Sequence, residues 1–136
     1  MKDRRVLVVE AEPGVQRHLT RLLREWGYVP MLAASVEEAL AALPHTQFLF
    51  SLVNVELNGA DGLDFLRRLR SEGGDPGPII MFCDTNDIRR VEAATTLGAD
   101  DLIQKPFNAE KLENAIKEVL VRPRRLWRRV RRTTPP

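Results

Sequence analysis

Apolar positions along the chain switch repeatedly between strand-like and helix-like spacing. Val6-Leu7-Val8-Val9 is a continuous apolar run, the pattern of a strand covered on both faces in a parallel sheet. Pro13 stands at a natural first helical position, Val15, Leu19, Leu22, Leu23 and Trp26 recur at helical spacing, and Gly27 is a C-terminal stop. Residues 28–33 predict a second strand, and Pro30, which has no N–H for a ladder, makes it an edge or irregular one. Ser35-Val36-Glu37-Glu38 is a capping box opening a helix through Leu43. Residues 48–53 form a third apolar run. Asn58-Gly59-Ala60-Asp61-Gly62 reads as a turn, and Leu63, Leu66 and Leu69 mark a helix ending near Gly73-Gly74. Ile79 to Cys83 predicts a fourth strand, Ile88 to Leu97 a helix stopped by Gly98, and residues 102–104 a short fifth strand. Asn108 caps a last helix with Leu112, Ile116, Val119 and Leu120 inward, ended by Pro123.

Five strands alternating with five helices imply an α/β fold with an open, doubly wound parallel sheet. In such sheets the functional crevice lies beyond the carboxyl ends of the strands. That rule singles out residues 10–12, 54–56, Cys83 with Asp84, and Lys105 with Pro106.

Composition adds one division. With 43% hydrophobic and 29% charged residues in 136, the chain fills one ordinary globular core and is not read as disordered. The net charge of +2 is a sum of unlike parts. Residues 1–121 hold 14 basic against 19 acidic side chains, a net of −5, whereas residues 122–136 hold seven arginines and no acid. The expected division is a domain over 1–121 and a basic tail or linker over 122–136. Cys83, the single cysteine, excludes an internal disulfide and a cysteine-based zinc site. The first apolar run is too short for a signal peptide or membrane span, so the expected location is cytoplasmic.

At those strand ends the chain resembles the receiver domain of two-component response regulators, of the chemotaxis type. The resemblance covers residues 4–121. It rests on Val6 to Pro13, on Asn54 to Gly62, on Pro78 to Cys83, and most specifically on Gly98 to Phe107, which holds the Lys105-Pro106 step. It implies a flavodoxin-like sheet of order 2-1-3-4-5 with five helices, and a role in phosphorelay signalling. Family members accept a phosphoryl group on an aspartate, using carboxylates around Mg²⁺, a lysine and a Ser/Thr hydroxyl.

Carried over residue by residue, the resemblance finds most of those groups replaced. Asn54 stands at the phosphoacceptor position, and a neutral amide is no nucleophile for an acyl phosphate. Glu10 and Ala11 stand at the acidic pair, leaving one carboxylate. Cys83 replaces the hydroxyl, Asp84 a small residue, and Leu102 the aromatic switch residue; Lys105 and Pro106 persist. Losses at so many positions read as natural degeneration, and the resemblance implies a pseudo-receiver. Glu56 and Asp61 stay open as non-standard acceptors. Lys105, facing Asn54, needs another anion, and the expected partner is Asp84 or Glu10. Mg²⁺ binding is expected to be weak or absent, with Glu10 and Glu56 the metal candidates and Glu12 in partial support. His18 and His45 are expected at the surface, and Cys83 at the core edge.

No catalytic residues are expected. An enzyme of the same fold would show a Ser/Thr/Gly-rich phosphate loop after the first strand and a nucleophile–base pair, and the sequence shows neither. No small-molecule substrate is expected. The resemblance instead implies a protein partner, or a homodimer, on the face from Ile88 to Leu120. The tail, Arg124, Arg125, Leu126, Trp127, Arg128, Arg129, Val130, Arg131 and Arg132 above all, stays open between a solvated linker to an output domain, an anionic membrane surface, nucleic-acid phosphates and an acidic protein surface.

Overall fold

The computed structural model describes residues 4–84 and 88–122. Their order is β1 (Arg5–Val9), α1 (Pro13–Glu25), β2 (Val29–Ala33), α2 (Val36–Ala42), β3 (Phe50–Asn54), β4 (Glu56–Leu57), β5 (Ala60–Asp61), α3 (Leu63–Glu72), β6 (Ile79–Cys83), α4 (Ile88–Leu97), β7 (Asp101–Gln104) and α5 (Ala109–Val121). β2-β1-β3-β6-β7 form one parallel sheet, which is the order 2-1-3-4-5 counted over its five strands.

Strand alternation divides the core between the two faces of this sheet. Leu7, Val9, Val53, Ile79 and Met81 pack with Ala39, Leu40, Leu66, Leu69 and Ala94 from α2, α3 and α4. Val6, Val8, Leu52, Ile80 and Phe82 pack with Leu19, Leu23, Leu112, Ile116 and Val119 from α1 and α5. Both faces are covered, which is why β1 from Val6 onward and all of β6 are apolar. β2 is indeed outermost, as Pro30 predicts.

Helix starts follow from side chains that accept the first free N–H groups. Ser35 Oγ accepts from the Glu38 N–H at 3.1 Å, while Glu38 Oε1 accepts from the Ala34 N–H at 2.8 Å, one residue earlier than a strict capping box. Asn108 Oδ1 accepts from the Lys111 N–H at 2.8 Å. At α1, Glu12 is the cap, accepting from the Gly14 N–H at 3.0 Å and the Val15 N–H at 2.7 Å. Those two bonds, with lesser help from Arg17, hold the Glu12 carboxyl below its ordinary value of 4.5. A carboxyl lowered on folding stabilises above its unfolded value and loses that contribution as pH falls through the folded value. Below pH 4.5 the Glu12→Gln variant should therefore converge with the parent in thermal stability, after lying below it at neutral pH. Equal stabilities at both pH values would show that the charge of the cap contributes nothing.

Several boundaries differ from the sequence reading by one or two residues, among them β7, which starts at Asp101, and α2, which ends at Ala42. β2 starts at Val29 and β3 runs from Phe50 to Asn54, because register with β1 sets where the ladders begin. The larger difference lies at residues 56–61, which overlap the stretch 58–62 read as a turn. Glu56 pairs with Asp61 and Leu57 with Ala60 in a small antiparallel hairpin. Leu57 is buried in the core, which pulls this segment against the sheet end, and Gly59 at φ +74° closes the link.

Candidate functional site

Glu10, just beyond β1, and Asn54, the last residue of the adjacent β3, meet at the strand ends, 2% and 4% exposed. Glu10 Oε2 accepts from the Ala11 N–H at 2.8 Å and the Glu12 N–H at 3.0 Å. Its other oxygen, Oε1, accepts from Asn54 Nδ2 at 2.8 Å. Asn54 Oδ1 in turn accepts from the Glu56 N–H at 3.0 Å. Both ends of the amide are therefore in use, and the network needs a donor on one side and an acceptor on the other. An amide supplies both; a carboxylate would not.

The second half of the site is a chain of alternating charges. Lys105, which follows β7 and joins Pro106 through a cis peptide bond, places Nζ 3.3 Å from Glu56 Oε1 and over the Phe82 ring at 5.5 Å. The same oxygen accepts from the Asp84 N–H at 3.2 Å. Glu56 Oε2 is shielded from solvent, makes no hydrogen bond, and lies 3.9 Å from Arg90 Nη1. Arg90 Nη2 donates to Asp61 Oδ1 at 3.1 Å, and that oxygen also accepts from the Leu63 N–H at 2.9 Å at the start of α3. Two cations and two carboxylates thus tie β7 and α4 to the hairpin.

This corrects the expected partner of Lys105. Its anion is Glu56, neither Asp84 nor Glu10. Glu10 is turned into backbone N–H groups and Asn54, and Asp84 meets the network through its own N–H. The hairpin lifts Glu56 to the lysine, a placement that reading 58–62 as a turn concealed. Arg90 was not singled out from the sequence as a site residue, since the charged Arg89 and Glu92 beside it give no signal of which one turns inward. Cys83 is buried at the end of β6, while Ala11 and Leu102 are partly buried and packed against the core on the α2–α4 side. His18 and His45 are exposed.

The residues present do not fit a Mg²⁺ site. Ala11 offers no oxygen, Asn54 is engaged at both ends, and both Glu10 oxygens hold N–H donors. Glu12, expected in partial support, spends both carboxylate oxygens capping α1. Among the described residues no group of three or more His, Cys, Asp or Glu is placed to hold a metal ion. No helix among them is long and apolar enough to cross a membrane. Arg122, the first tail arginine, donates to the Asp100 carbonyl and lies 3.5 Å from Glu118, so it belongs to the folded body. Arg124 to Arg132 lie outside the described residues.

Residues 6–117 match the family described as the response regulator receiver domain. The chain is 35% identical over 118 residues to the two-component response regulator PhoP of Pseudomonas aeruginosa, covering 87% of this chain and 52% of that protein. It is 35% identical over 131 residues to the response regulator MprA of Mycolicibacterium vanbaalenii, covering 96% and 52%. The chain therefore spans about half the length of these curated relatives. A crystal structure of a CheY-like receiver domain protein from Methanospirillum hungatei superposes with a TM-score of 0.79 at 26% identity, covering 88% of this chain and 94% of that one.

Proposed function

The chain belongs to the response regulator receiver domain family, and from that membership we propose that it is a pseudo-receiver: a signalling module that works without aspartyl phosphorylation, by binding a protein partner. The observation that carries this reading is Asn54, buried where the family's reactive carboxylate would stand and hydrogen-bonded through both halves of its amide. The chemistry of an acyl phosphate needs a carboxylate oxygen free to attack, and the amide has none. Glu56 takes the place of an added anion by answering Lys105 from within the chain. In this reading the protein is a cytoplasmic binding module rather than an enzyme, with a domain over residues 1–121 and a basic tail or linker beyond it.

Incubation with acetyl phosphate or phosphoramidate followed by intact-mass measurement tests this directly. The expected mass is that of the unmodified chain. A phosphoryl adduct would overturn the reading, and peptide mapping to Glu56 or Asp61 would install the rival, a receiver phosphorylated at a non-standard residue.

The partner face proposed is the one from Ile88 to Leu120. Ile88 is 69% exposed at the start of α4, and Leu120 and Val121 are exposed at the end of α5. The charge chain holds this face, since Arg90 fixes α4 and Lys105 fixes the end of β7 to Glu56. Glu56→Gln should loosen it. Loss of a charged acceptor shared by Lys105 and the Asp84 N–H is worth about 1 kcal/mol at this partly exposed position, or roughly fivefold faster amide exchange along α4. Exchange in α4 unchanged from the parent would show that Glu56 does not hold the helix.

A further inference from the structure

The sheet is incompletely covered at its α1 edge. Leu32, in register beside fully buried Val8, is 44% exposed on the outer strand. The gap between α1 and β2 is a groove of about 620 Å³ with Leu32 and Pro13 on its apolar lining. Arg17, Arg21 and Arg24 line it at helical positions i, i+4 and i+7, one stripe along α1. None of the three makes an ion pair with a described residue; Arg21 meets only His18 Nδ1, at 3.3 Å. Glu25 is the one acid in the lining. Thr20, also in the lining, has a hydroxyl that is shielded from water and lacks a hydrogen-bond partner. A row of arginines without an ion pair to a described residue thus lies beside an apolar strip, on a body whose net charge over residues 1–121 is −5.

We propose that this α1–β2 groove docks an acidic amphipathic helix of a protein partner. The arginine stripe spans about 10 Å along α1, two turns of a facing helix. Glutamates at matching spacing meet the guanidinium groups, which bind carboxylates through paired donors. The apolar side of the docked helix then covers Leu32, 44% exposed. The concavity and apolar strip suit a helix better than a phosphate backbone, which seeks charge without an apolar floor, or a bilayer, which meets a flat or convex surface. The chain's own tail carries the same charge sign as the stripe and is repelled by it. The docking uses none of the charged residues at the strand ends, so it stands apart from the reading of Asn54.

The test uses the full chain and three labelled peptides: an amphipathic helix with Leu and Glu rows, the same peptide with Lys for every Glu, and a scrambled peptide of the first composition. Fluorescence anisotropy should show salt-sensitive binding of the first peptide only, with amide chemical-shift changes concentrated in residues 13–32. Arg17→Glu with Arg21→Glu and Arg24→Glu, all exposed positions, should weaken that binding by at least about tenfold. Arg128→Glu with Arg129→Glu in the tail should leave the patterned preference intact. The proposal falls if the scrambled or Lys peptide binds as well, if the triple variant binds like the parent, or if the tail variant alone abolishes binding. It also falls if the peptide fails while anionic vesicles or single-stranded DNA bind through the same three arginines.

Discussion

Replacing Asn54 by Asp is expected to destabilise the fold by about 2–4 kcal/mol near neutral pH, although the change is isosteric. The native amide donates to Glu10 Oε1 at 2.8 Å, and the variant places a second carboxylate oxygen at that distance in a site that is almost fully buried. Two carboxylates so close cannot both ionise without cost, and burial removes the water that would screen them. The pH dependence has a definite sign. The pair holds a proton in the folded state to higher pH than either acid does when unfolded, so the folded state binds more protons and stability falls as pH rises. The deficit should be largest near pH 7–8 and shrink toward pH 4, where a shared proton restores a donor between the two groups. Millimolar Mg²⁺ should recover part of the loss in Asn54→Asp and leave the parent unmoved, because only the variant gains an oxygen ligand. Chemical denaturation across pH, with and without Mg²⁺, measures all of this. Parent-like stability at neutral pH would show that the Glu10–Asn54 contact is not what Asn54 secures.

Gly62→Ala is expected to cost about 3 kcal/mol and to lower the melting temperature by roughly 10 °C. The reason is space rather than backbone conformation. Gly62 has φ −61° and ψ −21°, which any residue adopts. A Cβ there would lie 2.1 Å from the Asn54 carbonyl oxygen and 3.0 Å from the Val55 Cα, and these are backbone atoms at the end of a central strand. Gly62 N–H also donates to the Val55 carbonyl at 2.8 Å, so the two segments cannot part without losing that bond. Gly59→Ala is the control. It has φ +74° with nothing within 4 Å of a new Cβ, and should cost only about 1–2 kcal/mol through backbone strain. Thermal melts in which Gly62→Ala matches or outlasts Gly59→Ala would remove the close approach as the cause. The two variants test one design: β3 and the start of α3 are pressed together so that Asn54, Glu56 and Asp61 meet at one place.

How much of this was legible differs by residue. The sheet's layout was written in short-range pattern: unbroken apolar runs at β1 and β6 for strands with two covered faces, Pro30 for an edge, Ser35 and Asn108 for helix starts. The amide at position 54 was equally legible, since the identity of that residue is covalent and no folding alters it. The hairpin at residues 56–61 was not, because two-residue strands leave no periodicity and Leu57 earns its buried place only against a core assembled from distant segments.

The sequence by itself determined the order of elements, the two apolar faces and the amide at position 54, all of which rest on local spacing or on bonds. Only the tertiary structure decided which carboxylate answers Lys105. Glu10, Glu12, Glu56 and Asp84 all follow strands at the same carboxyl edge of the sheet as Lys105, and Coulomb attraction alone does not choose among them. Backbone N–H groups claim Glu10 and Glu12, and the hairpin carries Glu56 to the 3.3 Å contact. The same holds for the groove beside Leu32, whose apolar residue looked like any strand position. Its exposure depends on where a helix axis crosses the sheet, and that is set by the packing of the whole core rather than by the residues along either element.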